Sequence, residues 1–274
     1  MAKPSTDNTH FEKHLTATCS DLTAVEHLAQ NSPLSKQKIK QTMNNGAVWL
    51  ESETGIHRIR RAKKVIKEND SLHLYYDEAI QKNEPIAAEL IADEGDYSIW
   101  NKPYGMYSQG SKWGDHCTIY RWAEEHLSPQ RPAFLVHRLD RAASGLMILA
   151  HSKKVATAFS ALFEERQLQK QYIAVVEGDL TEIDLPETLD KEVDGKPALS
   201  KIIAATLIDN KTQLTIEIET GRKHQIRKHL AAFGHPIIGD RLYGNAPFED
   251  DLQLQANFLK FKCPITDEVK EYSL

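Results

Sequence analysis

The residues best placed to do chemistry lie in His137-Arg138-Leu139-Asp140-Arg141, which runs through Ala142-Ala143-Ser144-Gly145 into the apolar Leu146-Met147-Ile148-Leu149-Ala150. One carboxylate sits between two guanidiniums just ahead of a segment that reads as a buried strand. Core packing does not call for that arrangement. Nearby positive charge favours the charged form of an acid, so Asp140 is expected to stay ionised at neutral pH and to suit a nucleophile or a base better than a proton donor. Taken alone, the triplet also fits a structural ion pair, and His137 fits either an orienting hydrogen-bond partner or a plain turn histidine.

Several elements must position this loop. Tyr97-Ser98-Ile99-Trp100 reads as a strand, and Asn101-Lys102-Pro103-Tyr104-Gly105-Met106 as the turn leaving it. Ile119, Trp122 and Ala123 suggest a helix. Ser152 caps another with an apolar stripe of Val155, Phe159, Leu162 and Phe163. Gln171–Val176 and Leu214–Glu219 read as strands. On a helix from about Lys223, the residues Ile226, Leu230 and Phe233 share an apolar face, leaving His224, Arg227 and Lys228 on the other side. Strands and helices do not alternate as βαβ units, and there is no phosphate-binding glycine loop, so the fold class is α+β.

The N-terminal part reads as a smaller unit. After a polar, loose start, Asp21 is expected to cap a helix carrying Leu22, Val25, Leu28 and Ala29. Ser35 caps a second, with Ile39 and Met43 on one face, Lys36 and Lys40 on another, and Asn45-Gly46 as its stop. Ala47–Leu50 and Leu72–Tyr76 read as strands on either side of a basic, hairpin-like stretch from Thr54 to Asp70. The charged segment Asp77–Gly95, with Pro85, reads as a linker, which places domains at 20–80 and 90–274.

The 274-residue chain carries a formal charge of −5, which by itself argues against a nucleic-acid partner. Its distribution argues the other way. Between Lys36 and His73 nine basic side chains face four acidic ones, while Glu182 to Asp194 forms an acidic run. Cys19, Cys117 and Cys263 are odd in number and far apart, which fits a reduced compartment and no zinc site. No signal-peptide core and no run of about 18 apolar residues is present, so a soluble, cytoplasmic protein without membrane contact is expected.

The pattern "LSKQKIKQTMNNGAVWL" and the sheet after it resemble the S4-like RNA-binding module, a small α/β domain, although the intervening loop is longer and more basic. Four later segments taken together, "NKPYGM" at Asn101, "HRLDRAASGLMILA" at His137, "KQYIAVVEG" at Lys170 and "TGRKHQIRKHLAAFGHPIIGDRLYG" at Thr220, resemble the RluA family of RNA pseudouridine synthases over roughly residues 97–245. The resemblance implies a central mixed, largely antiparallel sheet with flanking helices. It also implies isomerisation of uridine in ribosomal or transfer RNA: cleavage of the N1–C1′ bond, rotation of the uracil and re-attachment through C5.

Asp140 matches the family's catalytic aspartate, as attacking group or as base. Tyr172 matches its active-site tyrosine, whose ring can stack on an extruded uracil and whose phenol can handle the C5 proton. Arg227 matches the basic residue paired with the aspartate, with Arg222 as competitor and RNA-contacting candidate. Arg138 is expected to meet RNA near the flipped nucleotide. Arg141, Lys102 and Lys201 read as phosphate contacts or structural charges, and Lys36 and Lys40 as backbone contacts of the small module.

No metal and no cofactor is required, RNA is the expected partner, and a monomer is the expected state. Ala143 departs from the family by standing where a threonine is usual, and residues 106–133 match less closely. Two other readings compete: a non-catalytic RNA-binding protein assisting RNA folding, and a glycoside hydrolase. The second needs a further carboxylate as general acid, and none stands out.

Overall fold

The computed structural model describes residues 9–18, 20, 22–245 and 249–274. The chain divides into two compact units. The first takes residues up to Pro85 together with Gln109–Trp122, and the second takes Ile86–Ser108 and Ala123–Leu274. The expected range 90–274 therefore needs correcting, because Gln109–Trp122 leaves the larger unit and packs with the smaller.

The first unit contains β1 (His10–Thr16), α1 (Ala24–Asn31), α2 (Lys36–Asn44), β2 (Val48–Ser52), β3 (Gly55–Arg58), β4 (Ser71–Asp77) and α3 (Glu78–Gln81). Its sheet has the order β1-β4-β2-β3, antiparallel throughout. Leu28, Ile39, Met43, Val48, Leu72 and Leu74 are fully buried between the helices and this sheet. The alternating burial along β4 is the period-2 signature of a strand with one wet face.

The Ser35 hydroxyl accepts from the Lys38 N–H at 3.3 Å, and Gly46, at φ +79°, supplies the left-handed stop of α2. At α1 the cap is Thr23, whose N–H and hydroxyl both donate to Glu26. Asp21, expected in that role, lies outside the described residues. The segment expected to be loose forms β1 from His10 onward. It is an edge strand that turns only Phe11 and Leu15 toward the core, so its sequence is polar.

The inserted Gln109–Trp122 is fastened to this unit by Asp115. That buried carboxylate receives Arg58 at 3.0 Å, Arg60 at 2.6 Å and the Tyr120 hydroxyl at 2.9 Å. Two arginines of the basic stretch are thus spent internally. Lys40, Arg61, Lys63, Lys64 and Lys67 are exposed, with no carboxylate within 4.0 Å among the described residues.

The second unit runs β5 (Glu89–Asp93), β6 (Tyr97–Lys102), β7 (Phe134–Leu135), β8 (Ser144–Ala150), α5 (Lys153–Glu164), β9 (Leu168–Glu177), β10 (Glu187–Leu189), β11 (Ser200–Ile208), β12 (Lys211–Ile218), α6 (Gln225–Ala232), β13 (Leu254–Lys262) and β14 (Val269–Ser273). The helix α4 (Ile119–His126) spans the boundary in sequence. The sheet has the order β10-β11-β12-β9-β13-β8-β6-β5, with β14 on β13 and β7 on β8. Among the described strands only β13 and β8 pair in parallel.

This is the α+β, largely antiparallel arrangement expected. The stretch expected to be a linker contains β5, whose bulge between Leu90 and Ala92 breaks the alternation a strand would show in sequence. One buried cluster packs α5, through Val155 and Phe159, on β6 and β8. A second packs α6, through Ile226 and Leu230, on β9 and β12.

Candidate active site

Asp140 lies in the turn between β7 and β8, and the Lys102–Ser108 segment braces that turn. The buried Ser108 hydroxyl donates to the Leu139 carbonyl at 2.7 Å and accepts from the Leu139 N–H at 3.1 Å. The Gly105 N–H donates to the Arg141 carbonyl at 2.9 Å, and Arg141 Nε returns a bond to the Gly105 carbonyl at 3.0 Å. Beneath both segments the fully buried Lys102 Nζ donates to the carbonyls of Pro103, Met106 and Arg141 at 3.0, 3.0 and 3.4 Å. Burial pushes the Lys102 ammonium down to about 7, against the opposing pull of Asp140. Lys102 is thus a structural donor to the loop, not a phosphate contact.

His137 is structural as well. Its Nε2 accepts from the Ile148 N–H at 2.9 Å and its ring stacks on Phe163 with centroids 4.5 Å apart, tying the start of the motif to β8 and α5. Burial holds the imidazole neutral, with its pKa pushed down to about 3.

Tyr172 reaches the same place through β13. In the sheet Ala256 of β13 stands opposite Tyr172 of β9 on one side and opposite Gly145 of β8 on the other. The chains approach so closely that a Cβ on Gly145, at φ +115°, would fall 2.2 Å from the Ala256 carbonyl oxygen. The glycine after Ser144 is therefore required for the turn carrying Asp140 to close on the strand beside Tyr172. Burial, reinforced by the negative charge of Asp140, drives the Tyr172 phenol well above its ordinary range, so the hydroxyl is protonated at neutral pH.

The third group comes from α6. His224, at φ +56°, precedes the helix, and Arg227 lies one turn in, 4% exposed. Arg227 gives Nε and Nη2 to the two carboxylate oxygens of buried Asp240, at 2.7 and 2.6 Å, while Nη1 is 3.5 Å from Asp140 Oδ2. Asp240 also accepts from the N–H groups of Leu242 and Tyr243 at 2.9 and 3.1 Å. Burial works to raise the Asp240 pKa, yet these hydrogen bonds prevail and hold it below the usual carboxylate range. His224 Nε2 stands 3.7 Å from Asp140 Oδ1, and its Nδ1 meets the Tyr243 hydroxyl at 2.9 Å. Burial lowers the His224 pKa, with Asp140 opposing.

Asp140, Tyr172 and Arg227 thus line one cavity of about 90 Å³, with Arg138 and Arg222 at its walls. Arg138 is exposed and without an ion-pair partner among the described residues. Arg222 uses Nε on the Pro197 carbonyl at 3.2 Å, while Arg141 lies over the Tyr107 ring at 4.5 Å. Lys201 pairs with Glu219 at 2.6 Å. Lys36 and Lys40 belong to the other unit, where Lys36 is 4.0 Å from Glu26 and Lys40 is unpaired among the described residues. Ala143 is buried in the apolar cluster beside Tyr172, a setting that needs no hydroxyl.

Sequence reading missed Ser108, His224 and Asp240 as parts of this site. Asp240 lies in the segment that starts at Thr220, between Gly239 and Arg241, and its spacing from Arg227 carries no periodic signal of their pairing.

The RNA pseudouridylate synthase family profile matches residues 96–232. The dual-specificity RNA pseudouridine synthase RluA of Haemophilus influenzae is 32% identical over 214 residues, covering 71% of this chain and 96% of that protein. The tRNA pseudouridine synthase C of Yersinia pestis is 30% identical, covering 66% of this chain and 83% of its own. Among solved structures, human RNA pseudouridylate synthase domain containing 1 shares the fold, with a TM-score of 0.57 at 22% identity over 70% of this chain and 86% of that one. With a carboxylate, a partly buried phenol and an anchored guanidinium converging in that fold, the chain belongs to the RluA family of RNA pseudouridine synthases.

Proposed function

We propose that this isomerase converts uridine to pseudouridine in ribosomal or transfer RNA, using Asp140, Tyr172 and Arg227. The observation that carries the assignment of residues is the fixed Arg227, 3.5 Å from Asp140 and locked on its other edge by Asp240. Relatives named for ribosomal large-subunit and transfer-RNA modification support the choice of substrate class.

In this reading the Asp140 carboxylate acts on the sugar. It either takes C1′ as an ester or removes the C2′ proton to leave a glycal, and in both cases the electrons of the N1–C1′ bond depart on uracil N1. Arg227 and His224 orient the carboxylate. The uracil turns and C5 bonds to C1′; Asp140 leaves C1′ in the first case and returns its proton to C2′ in the second, and so ends as the carboxylate it began as. The product needs a proton on N1 and must lose one from C5. A phenol held protonated by burial fits a shuttle that gives the first and takes the second, leaving Tyr172 unchanged.

The smaller unit is assigned to RNA-backbone binding in the manner of an S4-like module. Its helix pair followed by a sheet, and the unpaired Lys40, Arg61, Lys63, Lys64 and Lys67, support this.

The test is the pseudouridine content of deproteinised cellular RNA incubated with the purified full chain, read by mass spectrometry of its nucleosides. A rise with wild type that is absent with Asp140→Asn is expected. Equal activity of the two proteins removes Asp140 from the mechanism. No product from wild type on any RNA pool favours a binding protein.

A further inference from the structure

Beside the Asp140 cavity lies a second of about 460 Å³, and the two share Arg138, Tyr172 and Arg222 in their walls. The far side of the second carries Phe163, Arg166 and Lys170. Lys170 and Tyr172 are two residues apart on β9, so their side chains leave the same face, about 7 Å apart along the strand. That separation is of the order of one nucleotide step in an extended strand. Arg166 sits in the α5–β9 turn at φ +57°, exposed.

The charges here are uncompensated. No carboxylate lies within 4.0 Å of Arg138, Arg166 or Lys170 among the described residues. Of the two carboxylates lining the cavity, Glu219 is taken by Lys201 at 2.6 Å, leaving exposed Glu164 against four cations. Lys170 is half-buried, its Nζ 5.7 Å from the centre of the Phe163 ring. Burial lowers its pKa and Arg166 acts in the same direction. A half-buried ammonium beside an exposed guanidinium is a like-charge repulsion that a bound anion relieves.

We infer that this second cavity is a phosphodiester subsite in which Lys170 and Arg166 hold the phosphate next to the target uridine, with Arg138 at the border between the two cavities. The inference rests on the RNA-isomerase reading and adds to it where the neighbouring nucleotide goes. Anchoring that phosphate fixes the strand one step from Tyr172, so that the sugar of the extruded nucleotide comes to rest over Asp140.

The experiment measures binding of a fluorescein-labelled single-stranded oligouridylate of about ten nucleotides to the full chain by anisotropy, between about 50 and 200 mM salt. Lys170→Gln, Arg166→Gln, the double variant and Lys170→Arg are compared, with circular dichroism to verify folding. The double variant is expected to lose about tenfold or more in affinity, and its plot of log K against log salt to become shallower by about 0.7, the value of one phosphate on a single strand. Lys170→Arg is expected to keep the wild-type affinity and slope.

A folded double variant with unchanged affinity and slope overturns the subsite. Should that variant not fold, Arg166→Gln, an exposed change, decides in the same way. The two readings fail separately. Pseudouridine formed by wild type with unaltered binding in the variants removes the subsite alone, whereas lost binding without any product from wild type leaves the subsite and removes the isomerase.

Discussion

Asp240 holds two nitrogens of the Arg227 guanidinium at 2.7 and 2.6 Å, so that only Nη1 is left for Asp140, at 3.5 Å. The arginine is thereby oriented before any substrate arrives. Removing its anchor leaves a guanidinium 4% exposed whose one remaining carboxylate among the described residues is Asp140, at 3.5 Å. Asp240→Ala is expected to cost about 3–5 kcal/mol of stability, the usual effect of breaking one side of a buried pair. Urea denaturation reads this directly, and a midpoint equal to wild type would show that Arg227 is held by something else.

Asp140 behaves oppositely. Its side chain is 25% exposed and its ionic contacts are no shorter than 3.5 Å, so little stability depends on it. Asp140→Asn is expected to unfold within about 1 kcal/mol of wild type while pseudouridine formation falls by about a thousandfold or more. A variant that loses activity and stability together would mean that the carboxylate is structural.

The two parts of Tyr172 can be separated. Tyr172→Phe keeps the ring and removes the proton shuttle, so RNA affinity is expected to persist while turnover falls by about 10²–10⁴-fold, the range of general acid–base catalysis. Tyr172→Ala is expected to weaken RNA binding as well. Because the phenol is driven upward by burial, its ionisation contributes no rise in rate from neutral pH into the mildly alkaline range. Turnover of the Phe variant equal to wild type would place the proton transfer elsewhere.

His137 supplies a pH signature in stability. In the folded chain its pKa is pushed from 6.5 to about 3 by burial. Between those values the unfolded chain carries a proton that the folded chain refuses, so stability falls as pH is lowered from about 6.5 toward 3, by at most about 1.4 kcal/mol per pH unit from this group. His137→Gln does not titrate and is expected to flatten that slope relative to wild type. Parallel curves for the two proteins would assign the acid sensitivity to other groups.

Charge reversal on the smaller unit tests its part in holding RNA. Lys40→Glu combined with Lys64→Glu is expected to weaken RNA binding and to lower its salt slope by roughly 0.7–0.9 for each phosphate that is no longer neutralised. The fold should be unaffected, since both side chains are exposed and unpaired among the described residues. An unchanged salt slope would remove the patch from the RNA path. Reversing Arg58 or Arg60 would not be a fair test, because Asp115 binds both.

The legible parts of this chain were those in which one local signal suffices. The apolar run 146–150 declared β8, Ser35 and Ser152 declared helix starts, and the charge pattern around Asp140 pointed to the candidate site. What escaped depends on partners distant in sequence. β1 and β5 are edge strands with too little burial to alternate cleanly. Asp115 reads as an ordinary loop acid until Arg58 and Arg60 are brought to it. Asp240 and Ser108 act by hydrogen bonds to Arg227 and Leu139, thirteen and thirty-one residues away, and no periodicity encodes those.

The place of β13 between β8 and β9 has a temporal consequence. During synthesis Asp140, Tyr172 and Arg227 all emerge before Leu254, yet the strand against which both Gly145 and Tyr172 align begins at that residue. Domains generally fold as units while the chain is being made. A nascent polypeptide therefore carries the three proposed groups while lacking the backbone that registers them, and they are brought into line only once β13 has been threaded into the middle of the sheet.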